Sequence, residues 1–472
     1  MGTSRLTGVA PSRADSVTAG EAARKRVPHH SQAIVDTTRA RDPLRLLASQ
    51  EAARVPELVP VRHERMRVSP FTFFRGSALV MADDLASQEH SGLITQLCGD
   101  AHLANFGAYG SPERRLVFDL NDFDETLPGP FEWDVKRLCA SMAVAALDNG
   151  LHPREARETA VATARAYQVA MAAFANQPML NVWYAHLDAQ EQLTALADAA
   201  NKKLAKAITR SIGKARKRTA LRALEKLTEV VDGQRRFVPD PPLLVPAEVV
   251  EDLSEVEEFS TVGGLYAWMR GLVELYTESI APERRLLIEN YVLTQAARKV
   301  VGVGSVGLRA WVLLMEPQDG MEPLLLQAKE AGPSVLSRYL GASQYDHQGE
   351  RVVSGQRIMQ ASSDVLLGWV RSHRHGRDFD YYVRQLRDWK YSVETGGFDA
   401  SALSTYGRLC AWTLARAHAR AGDRIAISAY IGDTLDFAEA IGDFAANYAD
   451  LTAADHAAFV TSLNQKAADT AE

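Results

Sequence analysis

The chain has 472 residues, 46% of them hydrophobic and 24% charged, with a formal net charge of −6. That length exceeds one ordinary core, so two or three lobes are expected, and the composition is that of a soluble globular protein, which argues against bulk nucleic-acid binding. The odd, widely spaced Cys98, Cys139 and Cys410 suggest a reducing compartment with no zinc motif. No apolar stretch reaches the roughly 18–20 residues of a membrane span and no signal-like core opens the chain, so a cytoplasmic protein without a membrane partner is expected.

Residues 1–40 are rich in Ala, Arg, Ser and Thr with few apolar anchors and read as a mobile arm. A helical lobe is expected over 41–290. Its apolar residues recur at helical spacing from Asp42 to Glu64, and the aromatic stretch Arg67–Leu85 (RVSPFTFFRGSALVMADDL) should pack beneath the segment that follows. A strand-like ITQLCGD leads into a loop and then a hairpin turned at Ser111-Pro112. Glu132–Asn149 is small and apolar on most faces, the pattern of a buried helix. Helical pattern continues from the first-turn Pro153 to about residue 230. Within it Asn201–Lys226 carries ten Lys or Arg against one Glu, which fits a solvated face or a surface for an anionic partner. VPDPPLLVP then reads as an extended connector.

A β-rich lobe is expected over 291–395. ARKVVGVGSVGLRAWVLLMEP, the turn QDGME and PLLLQAKEA read as three consecutive antiparallel strands. Helical pattern resumes over Glu350–Leu367, and Tyr381–Leu386 reads as a further strand. Residues 396–472 read as C-terminal helices packing on the catalytic lobe, with SALSTYGRLCAWTLARAHARAGD the clearest.

The chemistry concentrates between Cys98 and Asp124, in CGDAHLANFG and RLVFDLNDFDE. A kinase-type phosphotransferase needs a base beside the attacking hydroxyl and two oxygen ligands for magnesium. Asp-x-x-x-x-Asn supplies the base and one ligand, and an Asp after the next hairpin supplies the other. Asp100 and Asn105 stand at that spacing, and Asp119, Asp122 and Asp124 compete for the second metal position. His102 reads as a hydrogen-bonding brace for the loop. Some two hundred residues later come pieces suited to a nucleotide. Gly302, Gly304, Ser305 and Gly307 form GVGSVG, whose backbone amides could approach phosphate oxygens with no Cβ in the way. Lys329, in the third strand, would hold phosphates and pair with Glu350 of the next helix. Tyr381–Leu386 would enter a hinge at Arg387–Lys390. Singly, each piece has a plainer reading, a tight turn for the glycines or an edge residue for the lysine. Their combination carries the inference.

CGDAHLANFG resembles the HGDxHxxN loop of aminoglycoside and choline phosphotransferases, and LNDFDETLPGPFEWDVKRL resembles the segment that follows it there. The resemblance implies Asp100 as catalytic base, Asn105 and Asp122 as magnesium ligands, and Asp134 as a helix carboxylate holding the loop from below. The chain departs from that pattern at Cys98, where those enzymes often have His. Hairpin length favours Asp119 as the second ligand while distance to Asp134 favours Asp122, and the nucleotide pieces follow the loop instead of preceding it. A circular permutation would reconcile the order. Leu414-Ala415-Arg416-Ala417-His418 resembles the helix that precedes such loops, although an ordinary buried Ala-rich helix fits it equally. Across residues 65–450 the phrases SPFTFFRG, CGDAHLANFG, NDFDET, EWDVKRL, GVGSVG and GERVVSGQRIMQ resemble a bacterial family catalogued as domain of unknown function 2252.

The expectation is therefore an α+β, protein-kinase-like fold with a small antiparallel β lobe and a large helical lobe, in permuted order if the late helix takes that place. It would be an ATP- and Mg²⁺-dependent phosphotransferase using Asp100 and Lys329, with an unknown small-molecule or protein hydroxyl as acceptor. One alternative is a metal-dependent phosphoesterase built on Asp100-x-His102, although no Gly-Asn-His follows Asp124. The other is a non-catalytic nucleotide-binding module using Asn201–Lys226 as its partner surface.

Overall fold

The computed structural model describes residues 11–36, 38–189, 191, 220–250, 261–300, 302–374, 376–386 and 391–469. The expectations for residues 201–219 and for the hinge at Arg387–Lys390 lie outside these. The architecture is mixed α+β with antiparallel sheets.

Strand β1 (Ile94–Leu97) runs into the Asp100 loop. β2 (Phe106–Gly110) and β3 (Leu116–Leu120) form the expected hairpin, and β4 (Leu127–Pro130) returns to pair with β1. The short β5 (Leu187–Asp188) flanks β3, and Tyr391–Ser392 flanks β2. A hairpin of β6 (Thr228–Val231) and β7 (Gln234–Phe237) precedes the main sheet. That sheet has six strands: β8 (Leu244–Pro246), β9 (Tyr291–Lys299), β10 (Ala310–Pro317), β11 (Leu324–Glu330), β12 (Gly368–Arg374) and β13 (Arg377–Gln385). Their spatial order is β12-β13-β11-β10-β9-β8.

Period-2 alternation sets the two faces of this sheet. Trp311, Leu313, Met315, Leu324, Leu326 and Ala328 pack with the helix Val262–Thr277. Val312, Leu314 and Leu325 belong to a second cluster, with Leu224 and Phe237. Lys329 and Gln327 share the parity of Leu325, which turns them away from the Val262–Thr277 helix and toward the cleft described below.

The helices Phe131–Asp148, Pro153–Ala175, Ala400–Ala421 and Asp436–Asp469 form the larger core. Their contacts are rich in fully buried alanines, such as Ala143, Ala160, Ala164, Ala411 and Ala415, whose small side chains let helix axes approach closely. Helix Phe131–Asp148 is buried on nearly every face, as its all-round apolar pattern suggests.

Three expectations are corrected. Residues 12–33, read as part of a mobile arm, instead form a capped helix, Arg13–Arg26, and a short 3-10 turn. Ser12 and Asp15 make a reciprocal capping box, and the helix docks on Arg424–Ile431 through Ser16, Gly20 and Ala23. Small residues make this contact, so no hydrophobic stripe announces it. Leu244–Pro246 and Val262–Thr277, assigned to the helical lobe, belong with the main sheet, because β8 pairs with β9 and the helix packs against it. The helix expected over Glu350–Leu367 ends at Met359, and β12 follows.

Candidate active site

The loop after β1 is fixed by one glycine and one carboxylate. Gly99 has φ +86°, and a Cβ there would lie 2.1 Å from the Glu125 carbonyl oxygen, so only glycine fits. Asp134, in the first turn of helix Phe131–Asp148, accepts the Cys98 N–H at 2.7 Å and the Gly99 N–H at 3.0 Å. His418 Nε2, from the helix Ala400–Ala421, lies 3.3 Å from the same carboxylate, and its Nδ1 is 2.8 Å from the Tyr167 hydroxyl. The loop is thus held from below by residues widely separated along the chain.

Asp100 accepts a hydrogen bond from Arg137 Nε at 2.8 Å. Burial raises its carboxyl pKa, with Arg137 and Arg75 pulling the other way. Arg137 is itself pinned, its guanidinium 3.7 Å from the centre of the Phe74 ring and its Nη2 donating to the Phe74 carbonyl at 2.6 Å. His102 lies beside this pair, its Nε2 3.7 Å from Asp100 Oδ2, and burial drives its pKa well below the ordinary histidine value. Asn105 donates to the Asp100 carbonyl at 2.6 Å, which fixes the span between the two residues.

The three competing carboxylates separate cleanly. Asp119 is 1% exposed and ion-paired with Arg416, itself 1% exposed; it also accepts the Ala361 N–H at 2.8 Å and the Leu120 N–H at 2.9 Å. It points into the protein, which corrects its candidacy as a metal ligand: β3 is buried on both faces, and Asp119 is taken up by Arg416 there. Asp122 has a 35% exposed side chain, lines the cleft and lies 3.8 Å from Lys329 Nζ. Asp124 forms the closest ion pair with Lys329 and accepts from Ser305 Oγ at 3.1 Å and Tyr382 at 2.9 Å. Burial would depress the Lys329 ammonium, but Asp122 and Asp124 outweigh it and hold it well above the usual lysine value. Burial likewise would raise Asp124, and Lys329 keeps it below the usual carboxylate range.

Glu350 is not the partner of Lys329. Among the described residues no ion pair joins the two, and Asp124 takes that place. The inward position on helix Gln348–Met359 belongs to Arg351, 2% exposed, which donates to the carbonyls of Thr126, Asp124 and Gly332 at 2.7–2.8 Å.

Part of this set meets at one cleft of about 740 Å³, whose lining among the described residues includes Asn105, Asp122 and Lys329 but not Asp100. Asn105 and Asp122 line it from the two ends of the β2–β3 hairpin, and Gly302, Ser305 and Lys329 from the main sheet and its glycine turn. The glycine turn between β9 and β10 is braced from behind. Val55 donates to the Gly307 carbonyl at 2.8 Å, Gly307 has φ +93°, and a Cβ on Gly304 would come within 3.2 Å of the Arg75 carbonyl. Of the described residues lining the cleft, six are Arg or Lys and three are Asp or Glu, so a chain of net negative charge gathers positive charge here. Such a cleft suits an anionic ligand.

Among the described residues no three His, Cys, Asp or Glu side chains form a metal-binding group. Asp122 and Asn105 are oxygen donors facing the cleft, and they fit Mg²⁺, which is held by one or two carboxylates and completed by water and substrate phosphates. Sequence reasoning missed Arg75, Arg137 and the Asp124–Lys329 pair. Arg137 lies three residues after Asp134, hence on one helix face with it, and that spacing could have shown it.

No curated protein and no solved structure matches the chain. The family model described as an uncharacterized protein conserved in bacteria, DUF2252, matches residues 54–462, and the chain belongs to that family.

Proposed function

We propose that this protein is a cytoplasmic, ATP- and Mg²⁺-dependent phosphotransferase with protein-kinase-like lobes in circularly permuted order. The observation that carries this reading is the convergence of Lys329 with Asp122 and Asp124 in a cleft that also holds Asn105 and the glycine turn, although Lys329 and Asp124 are 205 residues apart. The approach of His418 to Asp134 supports the permutation, since it sets the late helix beside the early loop.

In this reading Lys329 holds the α- and β-phosphates, the turn Gly302–Gly307 covers them, and Asp122 and Asn105 are the residues that would hold Mg²⁺. When bound, the ion neutralises charge across the β- and γ-phosphate oxygens. Asp100 orients the acceptor hydroxyl and takes its proton. The hydroxyl oxygen then bonds to the γ-phosphorus as the bond to the ADP oxygen breaks. Burial of Asp100 raises its affinity for that proton, and Arg137 fixes the carboxylate in place. The acceptor is a small-molecule or protein hydroxyl. The phosphoesterase alternative needs His102 and several carboxylates gathered around one metal, and among the described residues no three His, Cys, Asp or Glu side chains are so gathered.

The test uses γ-labelled ATP and Mg²⁺ with bacterial metabolite and protein extracts as acceptor pools. Label should move to a phosphoester, and Asp100→Ala should lose roughly 10²–10⁴ of the rate while still binding ATP. Transfer that survives undiminished in Asp100→Ala refutes the assignment.

A further inference from the structure

The motif SPFTFFRG has no role in the chemistry above, yet its arginine reaches the cleft. Arg75 sits in the last turn of the helix Pro70–Gly76 and lines the cavity with Asp122 and Lys329. Its Nε is buried without a hydrogen-bond partner, and its guanidinium makes no hydrogen bond or ion pair with the described residues. Burial works against its charge, with the carboxylates of Asp100 and Asp122 pulling the other way. Arg75 as a whole is half-buried, and a guanidinium nitrogen that is buried with its donor open is costly unless an anion completes it.

Its mounting is rigid. A Cβ on Gly304 would come within 3.2 Å of the Arg75 carbonyl, so the glycine turn packs closely on this backbone. The preceding carbonyl, that of Phe74, takes the Arg137 hydrogen bond, and Arg137 in turn holds Asp100. Arg75 is therefore tied on one side to the glycine turn and on the other to the proposed base.

We propose that Arg75 is the residue that binds the transferring phosphoryl group, an arginine supplied in cis whose donors take the γ-phosphate oxygens and the charge they carry as the group moves. This rests on the phosphotransfer reading. The γ-phosphate is assigned to Arg75 because the adjacent Phe74 carbonyl and Arg137 connect it to the proposed base Asp100, where the transferring group must lie, whereas Lys329 is paired with Asp124. An arginine presents a planar set of donors that matches phosphate oxygens, and a lysine in its place does not reproduce that fork.

The test titrates the full-length wild type, Arg75→Ala and Arg75→Lys with ATP–Mg²⁺ and with ADP–Mg²⁺ by calorimetry. Because Arg75 makes no hydrogen bond to the described residues, both variants should fold, which thermal unfolding without nucleotide checks. The expected result is ATP affinity reduced roughly 10- to 100-fold in Arg75→Ala. ADP affinity should change less than about twofold, and Arg75→Lys should lie between. Equal loss for ATP and ADP, or no loss for either, overturns the inference while leaving the phosphotransfer reading standing. Absence of any ATP–Mg²⁺ binding by the wild type overturns both.

Discussion

Asp119 and Arg416 give the sharpest separation between a structural and a metal-binding carboxylate. Both are 1% exposed, and Arg416 also donates to the Met359 carbonyl at 2.7 Å. Replacing the arginine in Arg416→Met leaves Asp119 buried with two backbone N–H donors but without its ion-pair partner. Breaking a buried ion pair from one side costs about 3–5 kcal/mol, and loss of the bond to Met359 adds about 1 kcal/mol. Against a usual stability of roughly 5–15 kcal/mol this is a large fraction. Urea unfolding should show it directly. The double variant Asp119→Asn/Arg416→Met removes the stranded charge and should recover most of the loss. Asp119→Asn alone should leave the magnesium dependence of nucleotide binding unchanged. A loss below about 1 kcal/mol in Arg416→Met, or magnesium dependence abolished in Asp119→Asn, would refute this assignment.

Gly99→Ala should fail to give stable protein, because φ +86° and a Cβ 2.1 Å from a backbone carbonyl leave nothing flexible to yield. Melting within about 1 kcal/mol of wild type would contradict the loop geometry. Burial raises Glu125 to about 7, against the opposing pull of the Val335 N–H and Arg351. Between its unfolded value near 4.5 and 7 the folded state binds the extra proton, so stability falls as pH rises through that window. Glu125→Gln should therefore be near neutral at pH 5 and stabilising by about 1–3 kcal/mol at pH 8, as read by thermal melts at the two pH values. A gain at pH 5 that disappears at pH 8 would reverse the sign and defeat the argument.

Local pattern made part of this molecule readable. The spacing of Asp100 and Asn105, the hairpin turned at Ser111-Pro112, the buried helix and the three strands carrying GVGSVG and Lys329 all rest on residues adjacent in sequence. Pairings across the chain were harder. Asp119, Asp122 and Asp124 are chemically alike and crowded, so only the fold tells that one is turned inward to Arg416, one faces the cleft and one holds Lys329. Glu350 was chosen by reach along the chain, but reach says nothing about which face of a helix turns inward, and Arg351 takes that face. The Arg13–Arg26 helix escaped notice because it docks through Ser, Gly and Ala. Val262–Thr277 looked like one more helix of the helical lobe because helical periodicity cannot say which core a stripe will join.

The most direct measurement is thermal unfolding with and without ATP–Mg²⁺, for the wild type and for Lys329→Ala, each compared with its own nucleotide-free baseline. At a hundredfold the dissociation constant the ligand should stabilise the wild type by about 2.7 kcal/mol. If Lys329 and Asp122, 3.8 Å apart, together line an ATP site, Lys329→Ala should lose most of that stabilisation. The same stabilisation in wild type and variant would place the nucleotide elsewhere and contradict the proposed cleft.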